Sequence, residues 1–593
     1  AQAFFVFKHQ GVIGKPAIMS SSSPAGTIHV FHFGVGNVGA RVVHEALLPV
    51  STPAEKISGY RLTKSRPTFS YLGFASRDTL FLSFPLYFGD ASGGSEEVPV
   101  PQLERGNTAA VAREVRRKAK LPAEEAAPVG TVFQYPSDAA HLRRLALALR
   151  RLAEDVAGRR GGSSTEMVAV VDTGPPGTPE GTLKFLAFLR ECSGAGDGTK
   201  LLGNAEGPEE SDKSNHHGVV FALANKKPLA SATDFTLFAQ MFKERRIGCR
   251  ACLGAGLPVV PELRRLVEMD VATAECSLNG GLVAVRGCFS GSLGTLFGQL
   301  EDNIAALPND DEHQVASTQP LVFSQLVQRA WNEGKTEPDP RVDLSGADVA
   351  AKIFIIARLC GLPIVQIQGR QSFCTGSLEE HVGVVLPDFI ETFVSLEGIV
   401  PRVERSSSKE AASVSDFLTI EMPKLDAKMQ TQFEEAAQKG EKLKFVGEVR
   451  LVGWDSIPRS TVCSRTELLP MASLVDTEQN PHSGEPASTF GRSVKSSSTP
   501  GADMINGPRD SFGEATSSAL YECTVGIRNL DKNSFLGGLT GSGKGIEFVF
   551  ANGRVIQVRG GGAGGSNAAA DVILDLLDMY EHRATLFGQR GKS

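Results

Sequence analysis

Apolar residues fall along this chain in short continuous runs that alternate with three- and four-residue repeats, and this alternation predicts parallel α/β winding. The run Ile28–Phe33 reads as a strand, and a helical pattern through Val42, Val43 and Leu47 follows it. Phe69–Ala75 reads as another strand. Leu142, Leu145, Leu149 and Leu152 share one face of a helix over Ser137–Ala157, after which Val168–Thr173 reads as a buried strand ending in polar residues. The strand Val219–Leu223 runs into Ala224-Asn225-Lys226-Lys227-Pro228. That places Lys226 at a strand's carboxyl end, where open α/β sheets bind ligands. Farther on, Val349, Ile353, Ile356 and Leu359 recur at helical spacing, which predicts an amphipathic helix from about Ser345, with Ser345 as its cap.

Three patterns on these elements carry chemistry. Between the first strand and its helix stand Gly34, Val35, Gly36, Asn37, Val38 and Gly39, a G-x-G-x-x-G in the setting a dinucleotide pyrophosphate needs. The glycines allow a tight turn and close approach, and the helix N-terminus adds its dipole. A purely structural glycine turn is the alternative. After the strand Phe69–Ala75 come Ser76 and Arg77, where NAD-selective sites usually place an acid for the ribose hydroxyls; an arginine pairs instead with a 2′-phosphate. This predicts NADPH over NADH, with NADH usable. A surface arginine is the alternative, and Asp78 stands close by. The third pattern is the stretch 337–352, EPDPRVDLSGADVAAK, with four acids and a terminal lysine in sixteen positions. Pro338 and Pro340 keep its start extended. Asp348 and Lys352 then lie one helical turn apart with the acid N-terminal, so the carboxylate orients the ammonium; an ordinary surface pair is the alternative.

Composition narrows the class. At 593 residues the chain exceeds what one core usually supports, so two or more domains are expected, and 41% hydrophobic residues suffice to fill them. A net charge of −6 argues against a general nucleic-acid or membrane binder, and no segment approaches the roughly eighteen apolar residues of a membrane span. The basic stretch Arg113–Lys120 reads as a solvated helix face. Nine cysteines in a chain this long make no disulfide framework and suggest a reducing compartment. Cys249 and Cys252 form a CxxC without a second pair at zinc-ribbon spacing, so they are expected in the core. Gly538 to Gly545 nearly satisfies a phosphate-binding loop, yet glycine stands where Ser or Thr should hold magnesium, and a strand-like run follows Lys544 where a helix is required. The basic, serine-containing residues 1–23 read as an N-terminal extension. Residues about 84–130, 404–415 and 457–518 are low-complexity insertions, the last two expected to be disordered.

ANKKPLA at 224–230, GAGLPVV at 254–260, GCFSGSLGTLF at 287–297 and GKTEPDPRVDLSGADVAAK at 334–352, in this order, resemble homoserine dehydrogenase. Gly560–Gly564 before a helix resembles that family's last glycine-rich turn, and 416–449 is most similar to the monofunctional eukaryotic branch. No stretch before Gly34 is expected to hold an aspartate kinase domain, nor any after the last helix an ACT domain. The fold implied is α/β: a Rossmann dinucleotide-binding domain over 24–250, completed by 545–593, and an α+β substrate and dimerisation domain over 251–544.

The activity implied is reversible NAD(P)H-dependent reduction of L-aspartate 4-semialdehyde to L-homoserine, toward threonine, methionine and isoleucine, in a cytoplasmic homodimer; organellar targeting by the extension is the alternative location. Lys352 carries over as proton donor, Lys226 as oxyanion stabiliser near the nicotinamide, and Asp348 as the group that positions the lysine. Two such lysines repel, which predicts loss of a proton from one of them. Glu337, Asp343, Asp348, Gly291 and Ser292 carry over as substrate contacts. Gly34, Gly36, Asn37, Val38, Gly39, Arg77, Thr173, Lys226, Gly334 and Gly564 carry over to the cofactor. Two departures stand out: Ser292 replaces a threonine, and Lys335 replaces a tyrosine beside the substrate, a cation that weakens affinity unless it points outward. A third is Arg250, where relatives have a glutamate that helps backbone carbonyls hold a monovalent cation. Arg250 is expected to fill that place itself by donating to the carbonyls of Leu253, Ala255 and Leu257, or else to turn to solvent; no metal is expected in either case. A pseudoenzyme using the insertions for interaction, and an oxidoreductase for a related amino-acid aldehyde, are the competing readings.

Overall fold

The computed structural model describes residues 26–34, 36–47, 67–75, 79–82, 131–134, 139–158, 165–174, 179–193, 218–231, 235–268, 281–305, 321–337, 339–367, 389–401, 413–453, 520–562 and 564–583. The N-terminal extension, Ser76 to Asp78, all of the 84–130 insertion, residues 404–412 and all of 457–518 lie outside them.

The first sheet has the order β4-β3-β2-β1-β5-β6-β7 among the described residues. Its centre is β1 (Thr27–Phe33), whose five inner residues are buried. Parallel neighbours flank it on both sides, β2 (Thr68–Ala75) and β5 (Glu166–Asp172). β6 (Val220–Leu223) and β7 (Ile247–Gly248) continue the parallel run. On the far edge β3 (Thr79–Leu82) and β4 (Thr131–Gln134) pair antiparallel, so the insertion emerges between two edge strands. Helix α1 (Asn37–Leu47) follows β1, while α2 (Ala139–Gly158) and α3 (Pro179–Ser193) bracket β5 in the chain. The four leucines at 142, 145, 149 and 152 all face the core, as their spacing requires. A short helix, α4 (Lys227–Ser231), begins just beyond β6.

A second sheet holds β8 (Leu282–Cys288), β9 (Val394–Leu396), β10 (Glu441–Leu451), β11 (Tyr521–Asp531), β12 (Lys544–Phe550) and β13 (Val555–Gly560) in the order β13-β12-β8-β10-β11-β9. Among the described strands of this sheet, β11 and β9 pair parallel and the others antiparallel. Helices α5 (Gly291–Ala305), α6 (Phe323–Asn332) and α7 (Ala347–Leu359) belong to this half, and α8 (Gly565–Glu581) ends the described chain's regular structure.

Four sequence expectations change here. Helix α7 is not amphipathic: Val349 to Ala357 and Leu359 are all buried, because the helix is sandwiched between β10 and β11 on one side and α4 with the 3₁₀ turn Arg250–Leu253 on the other. It also starts later than Ser345. Gly346 sits at φ +74, and a Cβ there would lie 2.4 Å from the Phe445 ring; Ser345 Oγ accepts from Ala347 N at 3.4 Å, one position before the cap. The chain does not return to the first sheet at 545, because β12 and β13 join the second sheet beside β8; among the described elements after 545 only α8 goes back, packing on α1 and on β5, β6 and β7, with Val572, Ile573 and Leu576 in that core. Ser413, inside the stretch expected to be disordered, is helix-capping: its Oγ accepts from Asp416 N at 3.0 Å and caps a turn of helix.

Arg250 also behaves otherwise than expected. It neither donates to the turn carbonyls nor points to solvent. Its guanidinium pairs with Asp575 at 2.5 Å and Asp578 at 3.4 Å on α8, and its backbone N–H donates to Asp575 Oδ2 at 3.0 Å. Asp575 is wholly buried, and burial pushes its carboxyl up to about 6 against the opposing pull of Arg250. A buried acid needs a cationic partner more than neutral turn carbonyls do, which decides where the arginine goes. Arg250→Met is expected to cost about 3–5 kcal/mol in urea unfolding by stranding that acid. The double variant with Asp575→Asn should lose less than the two single losses summed; simple additivity would show that the pair is uncoupled.

Candidate active site

The glycine loop forms at the switch point of the first sheet, between the carboxyl ends of β1, β2 and β5. Gly34 has φ +81, and a Cβ on it would lie 2.5 Å from Gly174 N; its own N–H donates to Ala75 O at 2.7 Å. A Cβ on Gly39 would lie 2.2 Å from Gly34 O, so the third glycine is what lets α1 close on the loop. At Gly36 an added Cβ meets nothing within 4 Å. The backbone is thus open at the amino end of α1, and the cradle fits a pyrophosphate held by main-chain N–H groups. Thr173 braces the loop: its Oγ1 donates to Gly34 O at 2.7 Å and pairs with His32 Nε2 at 2.8 Å. Burial pushes the His32 ring down to about 3, so it is neutral there. Asn37 opens α1, while the Val38 side chain packs into the core beneath it. Arg77 lies outside the described residues; β2, which precedes it, ends beside Gly34.

Facing this cradle, two lysines from different elements meet on one carboxylate. Lys226 leaves the carboxyl end of β6, where Ala224 N donates to Asp172 O at 2.7 Å and Asn225 Oδ1 accepts from Lys227 N at 3.2 Å to turn the chain into α4. Its ammonium lies 2.7 Å from Asp348 Oδ1. Lys352, one turn along α7, donates to Asp348 Oδ2 and, at 3.2 Å, to Phe289 O. Burial alone would raise the Asp348 carboxyl, but the two ammonium groups outweigh it and hold it well below the usual carboxylate range. Asp348 in turn holds Lys226 above its ordinary value. The expected deprotonation through lysine repulsion is therefore overturned for Lys226, because an anion sits between the two cations.

An acidic pair borders the lysines. Asp343 Oδ2 accepts from Glu337 N at 2.8 Å, and Ser292 donates to the same carboxylate. Burial, reinforced by Asp348 and Glu337, pushes Asp343 up to about 6. Glu337 is exposed, with its charge felt at Lys226. Gly291 starts α5 and is buried; the single hydroxyl proton of Ser292, next to it, serves either the Asp343 carboxylate or Lys335 O, 3.1 Å away. Gly334, at φ +66, ends α6 by donating to Trp331 O at 3.0 Å. Lys335 points outward to Glu333 at 2.5 Å, so its charge is directed away from the acidic pair.

The floor consists of two glycine turns packed back to back. Cβ atoms on Gly256 and Gly560 would each fall 2.2–2.3 Å from a carbonyl of the opposite turn. Asp571 on α8 accepts from Gly256 N at 3.0 Å, and Lys544 Nζ donates to both Ala255 O and Gly562 O at 2.7 Å. Gly564, at φ +95, then caps α8. A monovalent cation does not fit this turn as the resemblance implies, since an ammonium already holds the Ala255 carbonyl. Cys252 lies behind the turn as a buried thiol donating to Leu223 O at 3.1 Å, a core position as expected for the CxxC. Sequence reasoning missed Asp571, Asp575 and Lys544. The two acids sit on an ordinary amphipathic repeat, and the lysine carried only the signal of a failed phosphate loop.

The model of the homoserine dehydrogenase family matches residues 271–577, just over half of the chain. The chain belongs to the homoserine dehydrogenase family. The homoserine dehydrogenase of Emericella nidulans is 24% identical over 61% of this chain and 70% of its own length, and that of Paracoccidioides brasiliensis is 28% identical over 46% and 61%. A hyperthermophilic archaeal homoserine dehydrogenase solved in complex with NADPH is 11% identical, covering 95% of this chain and 99% of its own, with a TM-score of 0.39. Family membership makes the chain an NAD(P)-dependent oxidoreductase.

The acidic pair gives a pH signature. Asp343 is raised to about 6, so it is charged above that pH and becomes neutral as pH falls through it. If Asp343 meets the ammonium of L-homoserine, affinity for that amino acid should weaken from pH 7 to pH 5 in titration calorimetry. Asp343→Asn should bind weakly at both pH values and show little further change; a wild-type pH response retained in this variant would place the titrating group elsewhere.

Proposed function

We propose that this chain reduces L-aspartate 4-semialdehyde reversibly to L-homoserine, with NADPH as the preferred reductant. The observation that carries this reading is the meeting of Lys226 and Lys352 on Asp348 beside the acidic pair Asp343 and Glu337, in front of a dinucleotide cradle. When bound, the reduced dinucleotide supplies a hydride to the aldehyde carbon, which shifts the C=O π pair onto oxygen. Lys352 gives that oxygen its proton, and Lys226 stabilises the negative charge as it develops. Asp348 keeps both ammonium groups aimed at one point. Glu337 and Asp343 take the substrate's own ammonium, with Ser292 holding Asp343 in place. In the reverse direction Lys352 accepts the hydroxyl proton. A pseudoenzyme would not need this convergence, and no observation favours one.

NADPH preference rests on Arg77 following β2, where a cation suits a 2′-phosphate and an acid would suit ribose hydroxyls. The homodimer rests on the family resemblance, with light scattering as its test. If Arg77 reads the phosphate, Arg77→Ala should raise the KM for NADPH while leaving that for NADH nearly unchanged; an unaltered NADPH/NADH ratio would make it a surface residue. For the chemistry, Lys352→Ala should lower kcat by about 10²–10⁴. NADPH binding, followed by cofactor fluorescence, should persist, because Lys226 still pairs Asp348 and the glycine cradle is untouched. Near wild-type kcat would remove Lys352 from the proton-transfer role.

A further inference from the structure

Lys544 is a buried lysine, 4% exposed, at the first position of β12. Its stem passes Gly254, whose missing Cβ would sit 3.7 Å from the lysine Cδ, and its ammonium ends between two carbonyls. One belongs to Ala255 and the other to Gly562, each at 2.7 Å. These are the two turns that touch back to back, the first between the Arg250–Leu253 turn and the following helix, the second between β13 and α8. Buried carbonyls facing each other need a donor or an ion, and a covalently attached ammonium meets that need without entropy of capture.

Charged groups reach Lys544 from two packed elements. Lys352 and Asp348 face it from α7, and Asp571 from α8, where the same Asp571 accepts from Gly256 N on the turn the lysine holds. Burial, then Lys352, pushes the Lys544 ammonium down to about 8. The proton-donating lysine and Lys544 thus feel one another's charge across the site floor.

We infer that Lys544 is a built-in monovalent cation: its ammonium occupies the place the resemblance assigns to a bound ion and positions the Gly254–Leu257 turn against the Gly560–Gly562 turn beside the catalytic lysines. Lys544 is a positioning residue, since it touches neither reacting atom. The inference rests on the proposed reaction only for its kinetic readout.

The test compares wild-type and Lys544→Ala protein in sodium, potassium, propylammonium and tetramethylammonium chloride at matched ionic strength. Wild-type kcat/KM should be the same in all four, whereas Lys544→Ala should lose about tenfold or more in tetramethylammonium, the scale of a lost charged hydrogen bond. It should recover several-fold in at least one of the three smaller cations. Thermal melting in the same salts needs no turnover: the variant's Tm should rise with the rescuing cation and the wild type's should not. Lys544→Gln, which keeps a donor and loses the charge, should show a reduced kcat/KM that no cation restores, because its side chain still fills the site. Activation of the wild type by one small cation would overturn the inference. So would a Lys544→Ala variant that is either fully active in tetramethylammonium or equally impaired and equally stable in every salt. Absence of wild-type turnover would count against the reaction and leave the melting comparison to decide the role of Lys544.

Discussion

One carboxylate shared by two ammonium groups is the interaction on which this site depends. Asp348 is reached by Lys352 from its own helix and by Lys226 from the end of a strand in the other sheet. Without the anion the two cations would repel across a partly buried space, and the loop after β6 would have no reason to stay over α7. The ion cluster therefore does two things at once. It fixes the geometry of proton transfer, and it joins the dinucleotide half to the half that carries the acidic pair.

Everything beneath that cluster serves to keep the two halves in register. α7 is buried on all sides, so its position is set by packing and the direction of Lys352 follows from it. The glycine turns at 254–257 and 560–562 approach so closely that side chains are excluded at Gly256 and Gly560. Their remaining polar groups are met by Lys544 and Asp571, while Arg250 satisfies the buried Asp575 a turn farther along α8. Charges in this floor are internal to the fold, which explains why a cation site built from the same carbonyls is already filled.

The sequence made the strand–glycine–helix unit legible because its first and third glycines answer local steric demands, and the structure places Gly34 and Gly39 where a Cβ has no room. The pairing of Asp348 with Lys352 was legible for the same reason: four residues of helix decide it. Contacts between residues far apart in sequence were not. Asp575 lies 325 positions from Arg250 and Lys544 lies 289 from Ala255, so no spacing rule anticipates either pair. The misreading of α7 as amphipathic has a related cause, since periodicity shows which face is most apolar but not whether a second sheet covers the other side.

The central claim, that Asp348 draws two neighbouring lysines together and keeps Lys226 charged, is open to a direct measurement. Protein labelled with ¹⁵N at lysine Nζ, with the Lys226 resonance assigned through Lys226→Arg, allows that ammonium to be titrated by NMR. The account predicts that Lys226 titrates above an ordinary lysine in the wild type and markedly lower in Asp348→Asn, where the anion is gone and Lys352 remains. An unchanged Lys226 titration in Asp348→Asn would contradict it.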